Sequence, residues 1–505
     1  MTMADSRPTI LLFTADELNR EALSGYGATS HRTPALDRLA AHGVRFDAAY
    51  TSSPVCLPAR CSLATGLFPH QNLNLSNETG RSLELDRPNV FTLLNAAGYR
   101  TSQHGKCHFI PVPYAYNKRE YTREYEHFIH YYRSLGMHHL DLMDDPQVSA
   151  WYYDDYAKDL ERHGVLAEFR RCVWECHRRT DEFPIVGTFR FPGPDHLHPD
   201  GWVAERALDY IRRYDRDEPA FVWTSFGGPH YPACAPESYH ARIDMDRDRP
   251  RRVREGEWND VTKANAKSGA GGHADGDFYA PDGWQGNYDD AYWRGWRRAY
   301  YASCVQIDEG VGRIVAAAEQ RWGDNLLVVF TADHGDMMGD HGFWGKCLHD
   351  QGTRIPLIVR FPGGAHAGLR SDAIVQTVDL LPTFLAAAGA APFSCAGRPL
   401  TDWMANGGRP WALCEYPELV MIADARLKYI HRRRNGAAFN ELYDRQTDPD
   451  EFENVWRRAA DHPGYAALRA ALDRLDREER LGDILFYDGR GTPPWAKLEG
   501  RPCTH

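Results

Sequence analysis

The sequence has no apolar run long enough to cross a bilayer and none that reads as a secretory signal. Met1 to Pro8 is short and polar, and the apolar stretch Thr9 to Thr14 is too short for a signal core and runs into Asp16 and Glu17. The expectation is a cytoplasmic protein with no membrane partner. Excess positive charge is also lacking: 59 Lys and Arg face 70 Asp and Glu, for a net charge of −11. That argues against the basic domain of a nucleic-acid binder, so no nucleic-acid partner is expected, while a local basic pocket for a small anion stays open. No internal repeat is evident. Cysteine gives no sign of a disulfide framework: the 11 residues are scattered and odd in number, and without an export signal they read as mostly reduced thiols. Cys172 and Cys176 sit on successive turns of one helix with no matching ligand pair, and read as packing. His138-His139 and His196-x-His198 read as surface-loop histidines.

What the 505 residues do hold is alternation. Ile10 to Phe13, Tyr99 to Gln103, Ala220 to Phe226, Leu326 to Thr331 and Pro356 to Phe361 read as strands, mostly of the continuously apolar kind buried on both faces. Helical segments lie between them, from Thr33-Pro34 to Gly43 and over Phe91 to Leu94. The pattern predicts an α/β fold with a large, mostly parallel sheet sandwiched by helices. Insertions at about 111–200 and 240–298 interrupt it, the second carrying a Gly-rich stretch from Ser268 to Gly276; such segments are lids, binding loops or disordered. The reading assigns 1–385 to the main α/β domain and 386–480 to a smaller α+β subdomain with an antiparallel sheet, built on Leu427–Ile430 and Glu441–Tyr443. It assigns 481–505 to a tail at a subunit interface, which predicts a homo-oligomer. Asp16, Lys106, His108, His230, Asp333 and His334 all follow strand ends, the edge where open α/β sheets bind ligands.

Two features point to chemistry. Cys56-Leu57-Pro58-Ala59-Arg60 leads into a helix, so Cys56 would sit in the positive field of a helix N-terminus with the Arg60 cation one turn on. Taken alone, Cys56 reads first as a buried structural cysteine. A thiol phosphatase needs a longer loop between Cys and Arg than the three residues here. The second feature is a pair of pairs, Asp16-Glu17 and Asp333-His334, each after an apolar strand. Singly, such acids are solvated loop residues or helix caps. Gathered in one crevice, carboxylates repel unless a cation neutralises them. An oxygen-rich set suits Ca²⁺ or Mg²⁺, and the His334 imidazole makes Mn²⁺ acceptable.

Cys56 to Arg60, followed by Ser62-Leu63-Ala64-Thr65-Gly66, resembles the C-x-P-x-R signature, with its trailing S-x-x-T-G, of the type I, formylglycine-dependent sulfatases of the alkaline phosphatase superfamily. Gly105-Lys106-Cys107-His108 resembles the family's G-K-x-H, Pro229-His230-Tyr231-Pro232 its P-H-x-P, and Trp344-Gly345-Lys346 its W-G-K. The resemblance covers roughly 9–110, 220–232, 299–385 and 411–455. It implies an alkaline-phosphatase-like sheet and hydrolysis of a small-molecule sulfate ester of sugar, alkyl or aryl type. It implies that a formylglycine-generating enzyme oxidises Cys56 to formylglycine, whose hydrate attacks sulfur. It implies one divalent ion, Ca²⁺ before Mn²⁺ or Mg²⁺, held by Asp16, Glu17, residue 56, Asp333 and His334; Glu17 departs from the family's usual Asp. Arg60 joins the catalytic set, Lys106 and Lys346 neutralise the sulfate, His230 assists the leaving alcohol and His108 takes a proton when sulfate departs. Lys106 and His108, two apart on a strand, are expected to face one side.

Asn77 lies where the related phosphonate monoester hydrolases place an Asn, and reads equally as a turn residue. Phosphonate monoester or phosphodiester hydrolysis is therefore the alternative, against which Lys106 and His108 argue. A binding protein that had lost catalysis is the third reading, against which no catalytic position is missing. The tyrosines Tyr114, Tyr116, Tyr121, Tyr125, Tyr131 and Tyr132 read as core before substrate platform.

Overall fold

The computed structural model describes residues 7–77, 81–111, 123–124, 126–177, 179–257, 288–345, 347–416, 419–432, 440–479 and 481. Lys346, Tyr114, Tyr116, Tyr121, Tyr125, the stretch Ser268 to Gly276 and the tail beyond Leu481 lie outside the described residues.

The apolar runs form the centre of an eight-stranded sheet. Its strands are β1 (Thr9–Asp16), β2 (Val44–Phe46), β3 (Arg100–Gly105), β4 (His139–Leu142), β5 (Ala220–Pro229), β6 (Leu326–Ala332), β7 (Leu357–Arg360) and β8 (Leu369–Ser371), in the order β8-β2-β7-β6-β1-β5-β3-β4. β1, β3, β4, β5 and β6 run parallel. β7 runs antiparallel to both neighbours, so the sheet is mixed at that end. An apolar run reports burial and says nothing of direction, which is why Pro356 to Phe361 read as one more parallel strand.

Both faces are covered. Phe221 of β5 packs on Phe91 of α3 (Val90–Ala96) and on Phe384 of α7 (Leu380–Ala387). Phe226, an odd number of residues along, points the other way, towards Gly310 of α6 (Asp290–Trp322). Helices α1 (Pro34–Ala41), α5 (Pro199–Arg212) and α6 pack together, as do α2 (Cys56–Thr65), α3 and α7. α6 begins well before the end of the segment read as the second insertion, capped by Asp289, whose side chain accepts from Tyr292 N–H. The first insertion is also structured: it supplies β4 and the helix α4 (Pro146–Trp151). Tyr132 is buried and Tyr131 partly buried in this core, as expected.

A second sheet follows, β9 (Ala412–Tyr416), β10 (Leu419–Ala423), β11 (Leu427–Arg432) and β12 (Glu441–Asp444), wholly antiparallel. Alternation divides its side chains. Leu413, Val420, Ile422 and Tyr429 pack with Leu468 and Leu472 of α8 (Tyr465–Glu479), while Cys414, Met421, Ile430 and Tyr443 pack with Tyr50 and Leu348 of the main unit. The ten described cysteines are all free, and no described helix is long and apolar enough to cross a membrane.

His70 ties the two units together. Its Nδ1 lies 2.6 Å from Glu415 Oε1 on β9 and its Nε2 3.1 Å from Glu479 Oε2 on α8. Burial works against the imidazolium, but Glu415 and Glu479 outweigh it and raise the pKa to about 9. The charged form is thus favoured by folding. Its contribution, roughly 3 kcal/mol, is complete below the ordinary histidine pKa and fades as pH rises through about 9. Comparing wild type with His70→Ala by thermal unfolding between about pH 6 and 10, the gap in Tm is expected to narrow with rising pH. A gap independent of pH would show that His70 acts by packing alone.

Candidate active site

The site is assembled at the carboxyl edge of β1, β3, β5 and β6. β1 and β6 pair in register through Ala15 and Ala332, which sets Asp16 and Asp333 side by side where the strands end. Between β1 and β5 the register shifts, so that Asp16 faces Pro229 and His230 arrives next to it. Cys56 is the first residue of α2, after an extended Val55, and the whole of that helix is buried. Asn77 Oδ1 accepts from Leu57 N–H at 3.0 Å, satisfying one of the free amides of the helix start. Asn77 is thus part of the Cys56 helix end and more than a turn residue.

The donor atoms of Asp16, Cys56, Asp333 and His334 all lie within 4.8 Å of one another, and all four residues are buried. Cys56 Sγ is 3.2 Å from His334 Nε2. His334 Nδ1 donates to Gly335 O at 2.9 Å, which leaves the Nε2 lone pair facing the cluster. Burial and the neighbouring Asp16 raise the pKa of Asp333, the mark of two carboxylates crowded together. Asp16 Oδ1 is buried and accepts no hydrogen bond. An orphaned carboxylate oxygen beside a second carboxylate and an imidazole lone pair fits a divalent cation, and the mixed oxygen and nitrogen set accommodates Ca²⁺, Mg²⁺ or Mn²⁺.

Glu17 stands apart from that group. Its backbone is left-handed, with φ 59°; its N–H donates to Asp333 Oδ1 at 3.0 Å, and its Oε2 lies 3.2 Å from His230 Nε2. The adjacent Asp336 has its pKa raised well above the ordinary value by burial and by Glu17. The side chain predicted as a metal ligand is therefore engaged with His230 and Asp336.

Arg60 lies behind the carboxylates. Its Nε donates to Asp333 Oδ2 at 2.8 Å, its NH1 to Ser225 Oγ at 2.8 Å and to Lys106 O at 3.1 Å, and its NH2 is 3.8 Å from Asp16 Oδ1. Lys106 lies across the site, its Nζ donating to Asp16 Oδ2 at 2.5 Å and to Asp145 Oδ2 at 2.9 Å. Burial opposes the ammonium, yet Asp145 and Asp16 hold its pKa well above the usual range. β3 ends at Gly105, where φ is 96°, and His108 is itself left-handed at φ 50°. The alternation expected for Lys106 and His108 therefore fails: the chain turns, and His108 N–H donates to Asp144 Oδ1 at 2.8 Å. Lys346 lies outside the described residues; its neighbour Gly345 lies by the site, where an added Cβ would stand 3.0 Å from Glu17 Oε1.

Asp145 is the residue that sequence reasoning missed. It caps α4 through Oδ1, leaving Oδ2 for Lys106, and it lies 3.9 Å from His230 Nδ1. The only signal was Asp145-Pro146, a helix start with proline in the first turn. Next to His230 and Gly345 in the chain, Tyr231 and Trp344 are buried in an aromatic cluster: their ring centroids are 5.5 Å apart, and Tyr292, Trp293 and Trp296 surround Trp344.

Known proteins share this architecture. The sulfatase family model matches residues 8–390, and the model of the N-sulphoglucosamine sulphohydrolase C-terminal region matches 339–478. An arylsulfatase of Clostridium perfringens is 26% identical over 89% of this chain and 90% of its own length. An N-acetylglucosamine-6-O-sulfatase of Bacteroides thetaiotaomicron is 26% identical over 94% of this chain and 88% of its own. Among solved structures, the phosphonate monoester hydrolase of Agrobacterium radiobacter superposes with a TM-score of 0.75 at 23% identity, covering 94% of this chain and 96% of that one. The chain belongs to the sulfatase family of the alkaline phosphatase superfamily and is a sulfuric ester hydrolase.

Proposed function

We propose that the chain hydrolyses a sugar or aryl sulfate with residue 56 as formylglycine and one divalent cation, Ca²⁺ first, held by Asp16, residue 56, Asp333 and His334. The observation that carries this is the convergence of those four donors within 4.8 Å at the start of a buried helix. When present, the hydrated aldehyde supplies a hydroxyl nucleophile and the cation sharpens its acidity. The other roles belong to this chain's own side chains. Lys106 offers a buried ammonium to a sulfate oxygen, as Lys346 does from its loop. Burial lowers the pKa of His230, but Asp16, Glu17 and Asp145 outweigh it and raise it to about 9; His230 is assigned the proton given to the departing alcohol. His108 is assigned the proton released as sulfate leaves. The free state of the ten described cysteines fits the reducing cytoplasm, with a formylglycine-generating enzyme as the maturation partner and a homo-oligomer joined through the C-terminal tail.

Intact-protein mass after co-expression with such an enzyme, followed by turnover of nitrophenyl sulfate and nitrophenyl phosphonate, tests this reading. Conversion of Cys56 with faster sulfate cleavage is expected. Faster phosphonate cleavage would instead favour a phosphonate monoester hydrolase.

Asp145 is proposed to position Lys106 and His230. Asp145→Asn keeps an oxygen for the helix cap and removes the charge. It is expected to lower kcat/KM by roughly 10–100-fold, most of the loss falling on sulfate binding, and to lower Tm as well, because buried Lys106 loses one of its two carboxylates. Unchanged kinetics would reduce Asp145 to a helix cap.

A further inference from the structure

At the far edge of the large sheet lies a second group of metal-ligating side chains that sulfate hydrolysis does not use. His139 and Asp141 are two apart on the edge strand β4 and share a face; His104 on β3 is the direct cross-strand partner of Asp141. The sequence placed His139 in a surface loop, and its pairing into the sheet is what creates the group. Asp141 Oδ2 lies 2.7 Å from His104 Nδ1 and 2.9 Å from His139 Nε2, and the donor atoms of the three residues fall within 4.8 Å of one another. His104 is fully buried, Asp141 is 22% exposed and His139 41% exposed, so the group has a closed inner end and an open outer one. The Tyr210 ring packs on both imidazoles, with centroids 5.1 Å from His104 and 4.9 Å from His139, and fixes their planes.

The open end meets a cavity of about 290 Å³, lined by His139, Asp141, Tyr210 and the arginines Arg100, Arg206 and Arg213. Asp209 offsets part of that charge, 3.4 Å from Arg206 and 3.6 Å from Arg213. A metal would take the Nδ1 position that now donates to Asp141, with the His104 proton carried on Nε2 instead. Two imidazoles and one carboxylate on adjacent strands, with a free position towards solvent, are the donor set and geometry of a Zn²⁺ site that retains an exchangeable ligand. In such a site donor atoms stand roughly 3.3 Å apart, so the present contacts need open by only about half an ångström.

We propose that His104, His139 and Asp141 form a second metal site, selective for Zn²⁺-class ions, whose free position faces the arginine-lined cavity and takes a water or a small anion. The test uses the full chain, stripped of metal and titrated with Co²⁺ as a spectroscopic stand-in, with bound metal counted by elemental analysis. Wild type is expected to bind one ion per chain more than His139→Ala, and Asp141→Asn is expected to lose the same ion. Asp333→Ala is expected to lose a different ion and keep this one. His139→Ala should retain nitrophenyl sulfate turnover at saturating Ca²⁺, because the group lies outside the active site. Equal stoichiometry in wild type, His139→Ala and Asp141→Asn overturns the proposal and leaves the triad as a hydrogen-bonded clasp joining β4 to β3. If His139→Ala unfolds, Asp141→Asn, which preserves an acceptor for both imidazoles, decides the question by itself: loss of one ion supports the site, and an unchanged count overturns it.

Discussion

Cys56→Ala is expected to abolish sulfate ester turnover, a fall of roughly 10⁴- to 10⁶-fold, while the protein still folds. The size follows from the kind of group removed. If residue 56 supplies the attacking oxygen, alanine leaves nothing to attack with, and the lysines and histidines around it merely hold the substrate. Stability should change little. Cys56 is the first residue of α2, alanine keeps its Cβ and its helix geometry, and the thiol's polar contacts are with the imidazoles of His334 and His230. A loss of about 1 kcal/mol covers the vacated sulfur. The measurement pairs turnover of nitrophenyl sulfate with Tm on protein whose wild-type counterpart has been shown by mass to carry the modified residue. Cys56→Ser is the sharper control, because serine restores a hydroxyl without an aldehyde. Strong recovery by serine would mean that a simple alkoxide suffices, and retained turnover in Cys56→Ala would remove residue 56 from the chemistry altogether.

The parts of this site that were legible in the sequence are those delivered by long apolar strands. Ile10 to Phe13 and Leu326 to Thr331 announce two buried strands, and the acids that follow them, Asp16 and Asp333, meet because β1 and β6 are neighbours in register. Cys56 and Arg60 were legible because one short helix carries both. What stayed hidden depends on pairings between distant segments that leave no local trace. β4 is four residues with alternating polarity at a sheet edge, so it looks like a loop until β3 is seen beside it. Everything hung on that strand was missed with it: α4, Asp145 as the partner of Lys106, and the His104–His139–Asp141 group. The start of α6 was hidden for another reason: Asp289 is an ordinary N-cap inside the stretch 240–298 that reads as an insertion. The alternation expected of Lys106 and His108 failed because period two ends with the strand, at a glycine with φ 96°.

The tiers of the site also divide by how they are held. Asp16, Asp333 and His334 are fixed by strand ends, and Lys106 by two carboxylates. Glu17 and Gly345 sit on left-handed backbone, and a Cβ added at Gly345 would stand 3.0 Å from Glu17 Oε1. Substitutions at Gly345 should accordingly alter substrate handling while leaving the cation cluster intact.

Arg60→Ala is expected to do more damage than the loss of a substrate contact. The guanidinium is buried, donates to Asp333 and Ser225 and lies 3.8 Å from Asp16, so both carboxylates shift its pKa upward despite burial. Removing it strands two buried acids with one cation fewer, and breaking a buried pair in this way costs about 3–5 kcal/mol. Metal-free Arg60→Ala should therefore unfold at a clearly lower Tm than metal-free wild type, and saturating Ca²⁺ should raise the variant's Tm by more than it raises the wild type's, because the ion then meets less opposing charge. Turnover should fall at least about 10³-fold even with the ion bound, since Asp333 loses the hydrogen bond that orients it towards the cluster. Arg60→Lys should restore little, because one ammonium cannot span Asp333, Ser225 and the Lys106 carbonyl as the planar fork does. The competing idea is that Arg60 serves chiefly as an anion contact for sulfate. It predicts a raised KM with metal-free stability unchanged, and that pair of results would return Arg60 to the substrate side of the site.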